Sequence, residues 1–236
     1  MKKLVITLLL FISCFAYSQN LDKEYFVLGT LIDYMGRQVY SSSLTERIDV
    51  FSETEKPLMD TIIALFDNKM LIEEDRKNYI LKSEALTQKL NSLYDFTFSS
   101  KSAKTYEDLQ NKKMDSVFAG VLKENIFENK EQIYSFITGA YVRYKRNDDS
   151  TYGIFIANSR SKAKLLYEKL LELGCEDVNY TTNQNIPVGH YVTFKPTKEL
   201  EKYLIRYDFL ANLLIQNKDN YTKSQIDNYI KSRSKR

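Results

Sequence analysis

Apolar and polar residues alternate most regularly between Ala140 and Thr197. The runs Ala140–Lys145 and Tyr152–Ala157 are rich in aromatic and β-branched residues and flank Asn147–Ser150, whose side chains suit a tight turn, so the pair reads as a β-hairpin. Tyr152, Ile154 and Ile156 share one face of the second strand and Phe155 lies on the other, which places that strand inside a sheet. Asn158 or Ser159 then offers a side-chain oxygen to free helix amides. Apolar residues return at Ala163, Leu166, Leu170 and Leu173, a helical period that Gly174 ends. Val178–Thr182 and Gly189–Lys195 are two further strands, separated by a polar loop with Pro187, and Thr197 or Lys198 opens a long helix. The order ββαββ predicts an α+β fold: a four-stranded, mostly antiparallel sheet over about 140–195, covered by flanking helices.

The remaining pattern is weaker. Residues 24–36 fit a strand (Phe26, Leu28, Thr30) or a helix (Leu28, Leu31, Ile32, Met35) ended by Gly36, and the helix is the preferred expectation. Gln38–Thr54 is polar, with a short element near Leu44–Phe51. Pro57 suits the first turn of a helix carrying Leu58, Ile62, Leu65 and Phe66, and Leu71–Leu93 continues helical, with a restart at Ser83. Phe96–Ser102 reads as a linker, Thr105 as the cap of a helix through Leu109, Val117, Leu122 and Phe127, and Glu131–Thr138 as a short helix that Gly139 turns into the first strand. No internal repeat is visible. Residues 19–236 are thus expected to form one domain, mainly helical over 19–139. The ββαββ unit and long helix follow over 140–216, then a weak helix and basic tail over 217–236.

The first residues change the picture of where the chain goes. Met1-Lys2-Lys3, an uncharged run from Leu4 to Ala16, and small residues at Ala16 and Ser18 are the parts of a secretory signal, predicting cleavage after Ser18 and an exported protein of the periplasm or extracellular space. The run is too short to span a bilayer. Acylation of Cys14 as a lipoprotein is the less favoured alternative, and the only membrane attachment expected. Of 34 Lys and Arg against 31 Asp and Glu, Lys2 and Lys3 belong to the leader. The remaining chain is therefore close to neutral, which argues against a nucleic-acid partner. Cys175 is then the one cysteine left, so no intramolecular disulfide is expected.

Candidate chemistry is sparse. His190 is the only histidine and shares a strand face with Val192 and Phe194; without a second histidine or a nearby cysteine it predicts neither a zinc site nor a Cys-His pair. Ser159-Arg160-Ser161-Lys162 matches Ser-x-x-Lys at a helix start. The same letters recur at Ser232–Lys235 and the companion motifs are missing, so capping accounts for Ser159. Glu73-Glu74-Asp75, read as helical, and Asp148-Asp149 lack the spacing of a metal loop, and the glycines form no phosphate-cradling run, so no cofactor and no metal are expected. The 18 tyrosines against no tryptophan stand out. Tyr141, Tyr144, Tyr152, Tyr180 and Tyr191, with His190, fall on the proposed sheet and are the candidate contact residues, because tyrosine joins a rigid apolar body to a polar tip. The expectation is an exported, non-enzymatic envelope protein that binds another protein or a small ligand. A secreted hydrolase with a carboxylate or serine site outside any motif, and a periplasmic immunity or inhibitor protein, are the alternatives.

Overall fold

The computed structural model describes residues 21–41, 46–75, 77–103, 106–147, 152–184 and 186–233. The leader with Cys14, Thr105 and the Asp148-Asp149 turn lie outside them. The elements are α1 (Lys23–Thr30), β1 (Arg37–Tyr40), β2 (Arg47–Ser52), α2 (Lys56–Leu65), β3 (Leu71–Asp75), β4 (Asn78–Lys82) and α3 (Glu84–Ser92). After β5 (Tyr94–Ser102), α4 (Tyr106–Gln110) and β6 (Asp115–Leu122) come α5 (Lys130–Tyr144), β7 (Lys145–Asn147), β8 (Tyr152–Ala157), α6 (Arg160–Glu172), β9 (Glu176–Asn183), β10 (Gly189–Lys195) and α7 (Lys198–Arg233). The order αββαββα thus occurs twice, on either side of the β5–α4–β6 insertion. The repeat missed in the sequence is one of architecture.

The fold is α+β with antiparallel sheets, as expected. The second half builds one sheet in the order β7-β8-β10-β9, with Tyr191 opposite Phe155 on one side and Thr181 on the other. Ala163, Leu166 and Leu170 of α6 are fully buried against it, and Gly174, at φ +76°, ends the helix in the left-handed region. In the first half β2-β4-β3 form one sheet, while β1 pairs with β6 in a second, β1-β6-β5.

Several elements differ from expectation. Ala140–Tyr144 is the end of helix α5 and not a strand, so the ββαββ unit starts at Lys145. Among its described residues, the region expected to be mainly helical holds six strands. Leu71–Lys82 is a hairpin, which puts Glu73-Glu74-Asp75 on an edge strand, and Ser83 caps α3 by accepting from the Leu86 amide. Phe96–Ser102 belongs to β5 and Val117 and Leu122 to β6. The last helix runs unbroken from Lys198 to Arg233. Its apolar side, Leu200, Tyr203, Leu204, Ala211 and Leu214, is buried, and the turns beyond are exposed.

Helices α1 and α5 are the axis on which the halves meet. Asp22 caps α1 by accepting from the Glu24 and Tyr25 amides, and its own amide donates to Ser135 Oγ on α5 at 2.9 Å. The helices touch at Gly29 and Gly139. A Cβ on Gly139 would run into the Phe26 carbonyl oxygen, and one on Gly29 into the carbonyl of Phe136 and the amide of Ala140. Glycine is required there by close backbone approach. A single core spans the contact, from Phe51, Leu58 and Leu81 through Phe26, Leu28 and Phe136 to Ile154, Val192 and Phe194.

Candidate functional site

The last carbonyls of a helix have no partner within it, and those of α1 are taken up by the second half of the chain. Lys162 Nζ, from the first turn of α6, donates to Leu28 O at 3.1 Å and Leu31 O at 2.6 Å. The Tyr144 hydroxyl donates to Leu31 O at 2.8 Å, and Arg143 Nη1 to Thr30 O at 2.8 Å. Both cations also oppose the negative end of the helix dipole.

Arg143 uses all five of its N–H donors. Nε and Nη2 clasp the Glu55 carboxylate, each at 3.0 Å. Nη1 also reaches Asp49 Oδ2 at 2.6 Å, and Nη2 the Val50 carbonyl at 2.9 Å. The guanidinium lies 4.7 Å from the centre of the Phe51 ring. Lys162 pairs with Asp33 at 3.1 Å, and the Tyr94 hydroxyl donates to the same carboxylate at 2.8 Å. Burial, followed by Asp33, raises the Tyr94 hydroxyl well above the usual phenol range. Burial pulls the Lys162 ammonium below the usual lysine range, against the opposing pull of Asp33. The centre therefore matches Asp33, Asp49 and Glu55 with Lys162 and Arg143, and Lys218 from α7 reaches Glu55 at 3.2 Å. These carboxylates are shielded from water and engaged by cations. Their chemistry is to hold α1, β2, α5 and α6 in register. Among the described residues no group of His, Cys, Asp and Glu side chains is arranged to hold a metal ion.

Glu55 makes this arrangement sensitive to acid. Burial pushes its carboxyl up, but Arg143, and then Lys218 and Ser52, outweigh burial and hold it at about 2, below its ordinary 4.5. A depressed carboxylate stabilises the fold fully above its ordinary value, and the contribution disappears as pH falls towards the folded value. Unfolding by urea from about pH 5 down to about pH 2 is expected to show a loss of about 3 kcal/mol from this group. The slope should flatten in Glu55→Gln; an unchanged slope would show that Glu55 is not the group titrating.

The candidate contact residues from the sequence are dispersed. Tyr141 and Tyr144 lie on α5, because the strand expected there is helix. The Tyr141 hydroxyl donates to Asp208 at 2.6 Å. Tyr152 is on the covered face of β8, its ring between those of Tyr141 and Phe194. Tyr180 and His190 face α6, with the Tyr180 hydroxyl 2.8 Å from His190 Nδ1. Burial first, then the Arg160 charge, pulls the imidazole below its usual range. Ser159 stands at the N-cap position of α6, but its side chain makes no capping bond. Tyr191 is on the open face, beside Phe155, which sequence reasoning passed over.

That open face has an unusual surface. A Cβ on Gly153 would lie 2.7 Å from the Tyr191 hydroxyl oxygen and 3.1 Å from its ring, and one on Gly189 would overlap the ring of Phe155. Both rings therefore lie down across glycines of the neighbouring strand. The Arg146 guanidinium sits 5.0 Å from the centre of the Phe155 ring. Around the rings the face presents Thr181, Thr193 and Asn179. Asp177, at its margin, is paired with Lys195 at 2.5 Å. Past Phe155 and Ala157 the face runs into a cleft of about 360 Å³, closed on the far side by Leu214, Ile215 and Lys218 of α7. A further sequence signal for this surface, beside Tyr191 and the outward Phe155, is the placing of Gly153 and Gly189 inside strands.

No family model matches this chain, and no curated protein matches it. Solved structures do. A structure of mesophilic variants of the homing endonuclease I-DmoI matches at 15% identity over 79% of this chain and 95% of that one, with a TM-score of 0.45. I-DmoI in complex with DNA and calcium matches at 15% identity over 77% and 86%, with a TM-score of 0.44. A point variant of I-DmoI with its target DNA and manganese matches at 17% identity over 73% and 86%, with a TM-score of 0.42. Against the two of these neighbours that are complexes with DNA, two expectations are corrected and not carried forward: the exported, secreted or periplasmic envelope binding protein, and the chain without a nucleic-acid partner. At these TM-scores the likeness says nothing further about the chemistry of this chain, which rests on its own side chains.

Proposed function

We propose that this protein binds single-stranded nucleic acid on the open face of its C-terminal sheet. The observation that carries the proposal is the pair of rings, Phe155 and Tyr191, laid flat over Gly189 and Gly153 on adjacent strands. A ring standing up from a sheet offers an edge, whereas one lying down offers a π-face on which an unpaired base can stack whatever its identity. The Arg146 guanidinium lies over the Phe155 ring, so at that position a base would stack on this planar cation and through it on the ring, while Tyr191 meets a base directly. Thr181, Thr193 and Asn179 provide hydrogen-bonding groups around the rings, and the Asp177 carboxylate at the margin is paired with Lys195. A chain this close to charge balance gains little from counterion release, so stacking has to supply most of the affinity.

Fluorescence anisotropy with labelled oligothymidine and oligouridine tests the proposal. Phe155→Ala and Tyr191→Ala are each expected to weaken binding by about tenfold, the usual range for losing one stacked base. Duplex of the same length should bind more weakly. The log–log salt slope should be shallow, about −1 to −2, because Arg146 and one or two neighbours make the phosphate contacts. Oligonucleotides that fail to bind at low salt, or bind both variants as they bind the parent, would refute it.

A further inference from the structure

On the opposite side of the same sheet, where α6 begins, lies a cleft of about 570 Å³ between that helix, the Met35-Gly36 turn and strand β6. We infer that it is a binding site for a phosphomonoester. The phosphate would sit on the first turn of α6 and the remainder of the ligand along Met35 and Val121. This goes beyond the sheet-face proposal and does not depend on it.

Four observations support it. The 13-residue helix α6 has no acidic residue in its first turn, and its first backbone bond runs from the Ala163 amide to the Ser159 carbonyl, so the amides of Arg160, Ser161 and Lys162 find no acceptor among the described residues. Three free amides at the positive end of a helix form an anion site in outline. Ser159 lines the cleft, is only 2% exposed, and its Oγ has no hydrogen-bond partner. Buried hydroxyls are rarely left without one, and this one belongs to the N-cap residue, next in the chain to the three amides. Arg160, also in the lining, makes no ion pair among the described residues. Lys164, one turn further along, is held by Glu124 at 3.0 Å and Glu168 at 3.4 Å. Those two carboxylates cancel part of the positive field, which favours a ligand that also contributes apolar contact. Met35 and Val121 are more than half exposed in the same cleft, whose volume suits a mononucleotide-sized molecule.

The test is a titration of the isotope-labelled full chain, followed by backbone amide resonances at constant ionic strength. The probes are inorganic phosphate, a nucleoside 5′-monophosphate, and a short oligonucleotide with and without a 5′-phosphate. Phosphate is expected to move the Arg160, Ser161 and Lys162 resonances where chloride does not. The nucleoside monophosphate should bind about tenfold more tightly through the added apolar contact, and move Met35 and Val121 as well. Ser159→Ala and the exposed Arg160→Ala should each weaken phosphate binding by about tenfold. Glu124→Gln, which releases Lys164 from one carboxylate, should strengthen it, an effect that a purely structural role for these residues would not produce. The same shifts with the 5′-phosphorylated oligonucleotide, absent with its 5′-hydroxyl form, would identify a nucleic-acid end as the ligand; shifts with the mononucleotide alone would identify a free metabolite. Either outcome supports the site. No phosphate-dependent shift at the three amides, or shifts unchanged in both Ser159→Ala and Arg160→Ala, would overturn it.

Discussion

Replacing Arg143 with methionine is expected to lower the free energy of unfolding by about 3–5 kcal/mol, the range found when one member of a buried ion pair is removed and its partner is left charged. The substitution keeps much of the side-chain volume, so the loss would not come from a cavity. It strips a cation from Asp49 and Glu55, both buried, and a donor from the carbonyls of Thr30 and Val50. Urea unfolding should show a lower midpoint with an unchanged m-value, because the surface exposed on unfolding is the same. Arg143→Lys should recover the charge but little of the stability, since an ammonium cannot fork across both carboxylates and reach two carbonyls at once. Combining Arg143→Met with Asp49→Leu and Glu55→Leu should restore a large part of the loss, as apolar residues often replace a whole buried charge cluster without penalty. A loss under about 1 kcal/mol for Arg143→Met would mean that Arg143 is solvated like a surface arginine.

The charge centre was the least legible part of the sequence, for a physical reason. Asp33, Asp49, Glu55, Arg143 and Lys162 are far apart along the chain, and each reads locally as an ordinary polar residue, Arg143 of a strand and the others of loops or helix faces. Only the crossing of α1 and α5 brings them together. The same crossing hid α5. A helix whose residues Ser135 to Arg143 are buried on every side has no polar face to mark its period, and its aromatic and β-branched end, Ala140–Tyr144, therefore reads as a strand. By contrast β8, α6, β9 and β10 were legible because each has one covered side and one wetter side. The two-strand alternation and the 3.6-residue period survive there. In the first half Leu71–Lys82 was misread because its outer strand, with Leu71 and Ile72 exposed and Glu73 and Glu74 following, has no buried alternation to display. Of the open-face rings Tyr191 was among the candidates and Phe155 was not, because tyrosine was counted by strand membership, whereas the glycines opposite decide which rings lie flat.

The second large effect is expected at the helix crossing. Gly139→Ala adds one methyl group, and by helix propensity alone it should stabilise α5 by about 1 kcal/mol. At this position the methyl meets the Phe26 carbonyl oxygen, part of the backbone of α1, which cannot rotate out of the way as a side-chain tip could. Separating the two helices would pull Arg143 and Tyr144 from the carbonyls they satisfy, so the strain spreads into the charge centre. Overpacking of this kind outweighs the propensity gain, for a net loss of about 3 kcal/mol. Gly29→Ala should behave alike, and the double variant should lose less than the sum of the two, because the first substitution already opens the space the second needs. Gly174→Ala provides the scale: nothing lies within 4 Å of its added Cβ, and only the left-handed φ of +76° resists it, so its loss should stay near 1 kcal/mol. Thermal and urea unfolding of the four variants would rank them. Should Gly139→Ala prove as stable as the parent, or milder than Gly174→Ala, α1 and α5 do not meet at their glycines and the junction of the two halves must be built some other way.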